Sequence, residues 1–169
     1  MPDAQAAAGV DQTAALIATL AARGLTVAVA ESLTGGQLTG ELTRPAGASA
    51  VVSGGVVVYA TELKHSVVGV DETLLSEHGP VHPDVARQLA ERVRVVLAVD
   101  GKAADIGVST TGVAGPDAQG GQPVGTVFVG LAIGPETRVE ALQLGGDRAG
   151  IRAETVAAAV RSLVAALAE

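Results

Sequence analysis

The chain has 169 residues, 48% of them hydrophobic and 1% aromatic, which is enough for one substantial core that must be aliphatic. It contains no cysteine, which excludes disulfides, zinc thiolates and thiol catalysis, and its three histidines lack the spacing of a metal-binding motif, so neither metal nor cofactor is expected. The net charge of -7 argues against a generic nucleic-acid face, and no apolar run approaches the ~20 residues of a membrane span. The start of the sequence also lacks the charged-then-apolar order of a signal peptide, so a cytoplasmic protein is expected.

Residues 1–9 are Ala-rich and polar and read as a flexible lead-in to a single domain over 10–169. Residues 10–23 predict a helix with Val10, Ala14, Ile17 and Ala21 on its inner face, closed by Gly24. A short apolar run, 25–30, predicts a buried strand, and 36–43 a helix that stops before Arg44-Pro45. The Val-rich stretch 50–59 predicts a second strand, whose Gly54-Gly55 pair marks a bulge or a close backbone approach. Thr61 is placed to cap a short helix containing Lys64, and Asp71 to cap another that Gly79 ends. A longer helix is predicted from Pro83 to about Val99, with Val85, Leu89, Val93, Val96 and Leu97 as its apolar stripe. Strands follow over 105–110, 125–133 and 138–144, the last two forming a hairpin around Gly134-Pro135-Glu136. A terminal helix opens at Gly145-Gly146-Asp147-Arg148, with Ile151, Thr155, Ala158 and Leu163 inside. Strands alternating with helices early and running consecutively late predict a three-layer α/β/α sandwich with a mixed, mainly parallel sheet.

Four places carry candidate chemistry. In Glu31-Ser32-Leu33-Thr34-Gly35-Gly36, a serine and a threonine sit on a strand-to-helix turn, where unpaired amides and the helix dipole favour negative charge. Ser32 there is a nucleophile beside an oxyanion hole, part of a phosphate cradle, or simply a helix cap. The stretch is neither Gly-x-Ser-x-Gly nor a Walker loop. Lys64, shortly after Tyr59 at a strand end, is either a solvated charge or a base with a depressed pKa. The loop Thr111-Gly112-Val113-Ala114-Gly115-Pro116-Asp117 fails the dinucleotide fingerprint, leaving an anion-binding loop or an ordinary long turn. At the last helix entrance Asp147 reads as a cap, and Arg148 with Arg152 one turn on reads as an anion site or a solvated face.

Taken in order, Glu31 to Gly36, Tyr59 with Lys64, Gly112 to Asp117, Pro123-Val124-Gly125-Thr126-Val127 and Gly146-Asp147-Arg148 resemble the CinA C-terminal domain family, which includes stand-alone nicotinamide-nucleotide amidases. The resemblance runs from about Val10 to the end. It implies a three-layer fold and hydrolysis of nicotinamide mononucleotide to nicotinate mononucleotide and ammonia, as in pyridine nucleotide salvage. It puts the nucleophile on Ser32 and the supporting lysine on Lys64. On this reading Tyr59 orients Lys64 or the ring, and the small-molecule site takes in Glu31, Thr34, Gly35, Gly36, Thr111, Gly112, Ala114, Gly115 and Arg148. A homo-oligomer, dimer or larger, is expected, with no nucleic-acid or membrane partner. The other function kept open is a non-catalytic nucleotide-binding module, regulatory or interaction-directed. Two departures stand out: Leu33 where the family commonly has Cys, and Ala60-Thr61 where it often has Ser or Thr followed by Asn.

Overall fold

Asp11 begins the first helix, α1 (Gln12–Arg23), by accepting the Ala14 amide, and Gly24 ends it in the left-handed conformation. The computed structural model describes residues 10–168, so the expected lead-in over 1–9 lies outside the described residues. The inner face of α1 is Thr13, Leu16, Ile17 and Leu20; of the expected Val10, Ala14, Ile17 and Ala21, only Ile17 is buried. Leucine buries far more apolar area than alanine, so the leucines turn inward, while Val10 lies before the cap and is 82% exposed.

Strand β1 (Val27–Glu31) is buried throughout and leads to α2 (Gln37–Thr43), a 3-10 turn at Ala48–Ala50 and β2 (Val52–Val57). Three helices follow: α3 (Thr61–Ser66), α4 (Glu72–His78) and α5 (Pro83–Val96). Asp71 and Gly79 bound α4 as expected. Thr61 does not cap α3; Ala60 stands at the N-cap and offers no side-chain acceptor. Helix α5 opens with Pro83 in its first turn, capped by His82 Nδ1, which accepts the Asp84 amide. Its inner stripe is Val85, Ala86, Leu89, Ala90 and Val93, and the helix stops at Val96, which is exposed. Strands β3 (Ile106–Gly112), β4 (Thr126–Ile133) and β5 (Glu136–Gln143) come next, then α6 (Arg148–Leu167), capped by Asp147 through the Gly150 amide.

The strand order is β2-β1-β3-β4-β5. β1 runs parallel to both neighbours, while β3–β4 and β4–β5 are antiparallel, so the parallel part of the sheet is its β2-β1-β3 end. Alternate residues of β1 face opposite layers. Val27 and Val29 join a core with Leu16 and Leu20 of α1, Leu38 and Leu42 of α2 and Leu163 of α6. Ala28 and Ala30 join a second core with Leu75 of α4 and Val85, Leu89 and Val93 of α5. The result is a three-layer α/β/α sandwich. No helix among the described residues is long and apolar enough to cross a membrane.

Both readings of the Gly54-Gly55 pair hold. Pairing passes from Val27–Val52 to Ala28–Gly54, leaving Ser53 extra, and a Cβ on Gly55 would lie 2.0 Å from Thr39 Oγ1. The parallel strands all end at one edge, from which Ser32, Val58 and Val113 emerge. β1 connects outward to β2 through α2 on one face, and β2 returns to β3 through α3 to α5 on the other. The crevice between β1 and β3 is therefore a topological switch point, where ligands of such sheets bind.

Helix α5 lies close on β3: a Cβ on Gly107 would sit 1.9 Å from the Ala90 carbonyl oxygen. Gly107→Ala must push α5 off the sheet, and we expect it to destabilise the fold by about 1–3 kcal/mol, as overpacking of a tight core does. Urea denaturation of the purified variant measures this, and a midpoint equal to that of the unaltered chain would refute the close approach.

Candidate active site

The turn after β1 is held by its own neighbours before any ligand is considered. The Ser32 amide donates to the Thr110 carbonyl at 3.1 Å, and the Thr34 hydroxyl pairs with the Thr110 hydroxyl at 2.8 Å. Glu31, last residue of β1 and fully buried, turns its carboxylate onto the start of α2. It accepts the amides of Gly36 (3.0 Å), Leu38 (3.0 Å) and Thr39 (2.8 Å) and the Thr39 hydroxyl (2.6 Å). A carboxylate there satisfies otherwise orphaned helix amides and complements the helix dipole. The start of α2 thus holds an internal anion. Gly35 donates its amide to the Ser32 carbonyl at 3.0 Å.

These bonds change the reading of four residues expected at the ligand site. Glu31, Thr34, Gly35 and Gly36 do not line the pocket beside Ser32. Glu31 caps α2, Thr34 is fully buried against Thr110, and the two glycines take positive φ values of 57° and 97° that let the chain turn into the helix. A seven-residue helix whose amides already bind a carboxylate has no place there for a second anion.

Lys64 comes from the opposite layer. It lies on α3, is 1% exposed, and has its ammonium nitrogen 2.8 Å from the Val58 carbonyl oxygen and 3.1 Å from Ser32 Oγ. Burial is what moves its titration. It brings Lys64 down from the ordinary 10.5 to about 8, with the Glu62 carboxylate pulling weakly the other way. A neutral Lys64 keeps one N–H for Val58 and presents its lone pair to the Ser32 hydroxyl, which is the arrangement of a nucleophile and its base. Sequence placed these two residues 32 positions apart; the parallel pairing of β1 with β2 brings their side chains together.

They share a pocket of about 510 Å³, measured out to its open mouth. Of the residues expected from sequence, Tyr59, Thr111, Gly112, Ala114, Gly115 and Arg148 also line it. Arg148 spans the rim, donating to the Gly115 carbonyl at 2.7 Å and to the Tyr59 hydroxyl at 2.8 Å. The Thr111 hydroxyl donates to the Pro80 carbonyl at 2.7 Å, so its proton is committed to a wall and it faces the pocket as an acceptor only. That wall, Pro80 and Val81, was not expected from the sequence, nor was Gln119 at the rim. The Gly79-Pro80 pair between α4 and α5 was the available signal for a shaped turn. Arg152, read with Arg148 as an anion site or solvated face, instead reaches back to the Ser32 turn. Its Nε donates to the Leu33 carbonyl at 2.9 Å and its Nη2 to the Thr34 carbonyl at 3.1 Å. Among the described residues no group of three or more His, Asp or Glu side chains is arranged to hold a metal ion.

Fold and site define a three-layer α/β/α protein with a buried serine–lysine pair in a pocket beyond the ends of its parallel strands. The model of the CinA C-terminal domain matches residues 10–167, and the chain belongs to that family. It is 48% identical over 152 residues to a CinA-like protein of Frankia casuarinae, covering 88% of this chain and 34% of that protein. To a putative competence-damage inducible protein of Bacillus pumilus it is 47% identical over 133 residues, covering 79% and 31%. The chain therefore spans about a third of the length of these curated relatives. Among solved structures, a competence/damage inducible protein of Agrobacterium tumefaciens superposes with a TM-score of 0.84 at 32% identity, over 94% of each chain. A CinA superfamily protein of Klebsiella pneumoniae gives 0.87 at 28%, over 93% of this chain and 96% of that one.

The Lys64 titration makes a stability prediction. Between pH 8 and 10.5 the unfolded chain binds the proton that the folded chain has released, so folded stability rises with pH across that window. At and below about pH 8 the burial penalty is fully present. Relative to Lys64→Met, the unaltered chain should gain roughly 3 kcal/mol from pH 8 to 10.5, at ~1.36 kcal/mol per pH unit. Parallel urea melts across this range measure it; a difference independent of pH would mean Lys64 titrates like a solvated lysine.

Proposed function

We propose that this chain is a nicotinamide-nucleotide amidase, hydrolysing the carboxamide of nicotinamide mononucleotide to nicotinate mononucleotide and ammonia. The observation that carries the reading is the 3.1 Å contact between Ser32 Oγ and the amine of a fully buried Lys64. Burying an amine with no carboxylate beside it weakens a fold, and a passive nucleotide-binding module gains nothing from it. A site that must remove a proton from a serine near neutral pH needs a base poised there.

Ser32 Oγ attacks the carboxamide carbon while neutral Lys64 takes the hydroxyl proton. The C–N bond then breaks, Lys64 returns the proton to the leaving nitrogen, and ammonia departs. Water attacks the acyl-serine, giving up a proton to Lys64, and the nicotinate product leaves with Ser32 restored. With a pKa of about 8, roughly a tenth of Lys64 is neutral at pH 7. Pro80, Val81 and Ala114 supply apolar walls for a flat ring, Tyr59 the one aromatic edge, and Arg148 a rim cation for a phosphate. A cytoplasmic location and a self-associated state belong to the same proposal, and sedimentation of the purified chain reads the latter.

Ser32→Ala should abolish ammonia release with a melting temperature close to that of the unaltered chain. Lys64→Met should slow single-turnover acylation by about 10²–10⁴-fold, the usual worth of a positioned general base, with little change in substrate binding. The acylation rate of the unaltered enzyme should climb as pH rises through about 8 and level off above it. Substantial turnover by folded Ser32→Ala would falsify the assignment, and an acylation rate flat across pH 7–9 would remove Lys64 as the base.

Arg148→Ala should weaken the phosphorylated nucleotide by about 1.5–3 kcal/mol, the range for hydrogen bonds to charged groups, and leave the dephosphorylated nucleoside nearly unaffected. The ratio of kcat/KM for the two substrates measures this. An equal loss on both would assign Arg148 to holding Tyr59 and Gly115 in place.

A further inference from the structure

We infer that Arg152 is a positioning residue that holds the turn carrying the Leu33 amide, the oxyanion donor for Ser32. The inference rests on the amidase reading and adds the group that shapes its nucleophile turn. At a strand-to-helix junction the expected donors are the first helix amides. Here those of Gly36, Leu38 and Thr39 go to Glu31, and that of Gly35 goes to the Ser32 carbonyl. Gln37 donates to the Thr34 carbonyl. Among the described residues the amides of Leu33 and Thr34 meet no acceptor; of the two, Leu33 lines the pocket beside Ser32, whereas Thr34 is fully buried behind it. Amides without a partner are uncommon in native proteins, and one at the pocket wall beside a buried serine points to an acceptor that arrives with the substrate.

Peptide planarity connects these amides to Arg152. In a trans peptide the C=O and the following N–H point in opposite directions. The Gly35 bond to the Ser32 carbonyl therefore sets the direction of the Leu33 amide, and the Arg152 Nε bond to the Leu33 carbonyl fixes the other end of the same residue. The second Arg152 bond, to the Thr34 carbonyl, holds the next peptide of the same turn. The guanidinium fork takes two adjacent carbonyls at once, which a lysine ammonium on a flexible stem does not reproduce. Among the described residues Arg152 has no carboxylate within ion-pair range, so its charge falls undivided on these two peptides. A cation there also favours negative charge building up on the other side of the turn.

The test separates this role from the substrate reading by using a probe that needs no nucleotide. A fluorophosphonate reacts when Ser32 Oγ bonds to phosphorus, fluoride leaves, and the hydroxyl proton passes to Lys64; the phosphoryl oxygen needs the same Leu33 amide. Rates of Ser32 labelling are compared among the unaltered chain, Arg152→Met and Arg152→Lys, alongside kcat and KM for ammonia release. Losing an aligned oxyanion donor should slow labelling and kcat by about tenfold or more in both variants, with KM within about twofold. If Arg152→Met does not fold, Arg152→Lys alone decides. A fall of about threefold or more in a folded variant supports the role, and a smaller one overturns it. A rise in KM confined to the phosphorylated substrate, at unchanged labelling, also overturns it and assigns Arg152 to the phosphate. If the unaltered chain labels at Ser32 but releases no ammonia, the substrate reading fails and the labelling comparison still decides Arg152. No labelling of Ser32 in the unaltered chain overturns both.

Discussion

The contact on which the rest of the site depends is a lysine amine kept inside the protein. Lys64 is 1% exposed, and among the described residues its nitrogen meets the Val58 carbonyl and the Ser32 hydroxyl. Water would hold the ammonium form far better than this surrounding does, and that is why its titration moves down to about 8. The sheet enforces the burial. Parallel pairing of β1 with β2 places Val58 beside the end of β1, where its amide donates to the Glu31 carbonyl at 2.8 Å, and α3 folds back over that edge carrying Lys64. A lysine on a helix with free access to solvent would extend its stem outward instead.

The turn on the other side of that contact is built with charges of both signs, neither on the pocket wall. The Glu31 carboxylate binds the start of α2, and the Arg152 guanidinium binds the carbonyls of Leu33 and Thr34. Each satisfies backbone groups of the same short stretch, one the donors and the other the acceptors. This differs from sites in which a helix N-terminus itself receives the substrate's negative charge. In this chain that position is filled from within.

Aromatic poverty shapes the remainder of the pocket. Of the chain's one Tyr and one Phe only Tyr59 lines the pocket, so it offers no pair of aromatic faces for a planar ligand. The walls are instead aliphatic backbone-rich segments: Pro80-Val81 between α4 and α5, and Val113-Ala114 after β3. Thr111 ties the two walls together through the Pro80 carbonyl. Family membership defines this framework, whereas the names of the relatives concern competence and damage induction and cover a protein about three times as long.

Features that depend on neighbours in the chain were legible in the sequence. Asp71, Gly79, Pro83 and Asp147 mark helix ends because capping is a matter of a few adjacent backbone groups. Alternating element types gave the layered fold, and the Gly54-Gly55 pair announced both its bulge and its close approach. The Ser32 turn stood out for the same local reason. Its interior did not. A carboxylate, two glycines and a threonine before a helix read equally as ligand contacts or as structure; packing made Glu31 a cap and buried Thr34 against a strand 76 residues away. Arg152 meets the turn from 119 residues along the chain, and the Pro80 wall is set by Thr111 from 31. The sequence by itself determined which side chains were available and where the chain would bend. Only the tertiary structure decided which of them face the pocket, because that depends on strand register and layer contacts between segments with no local signature of each other.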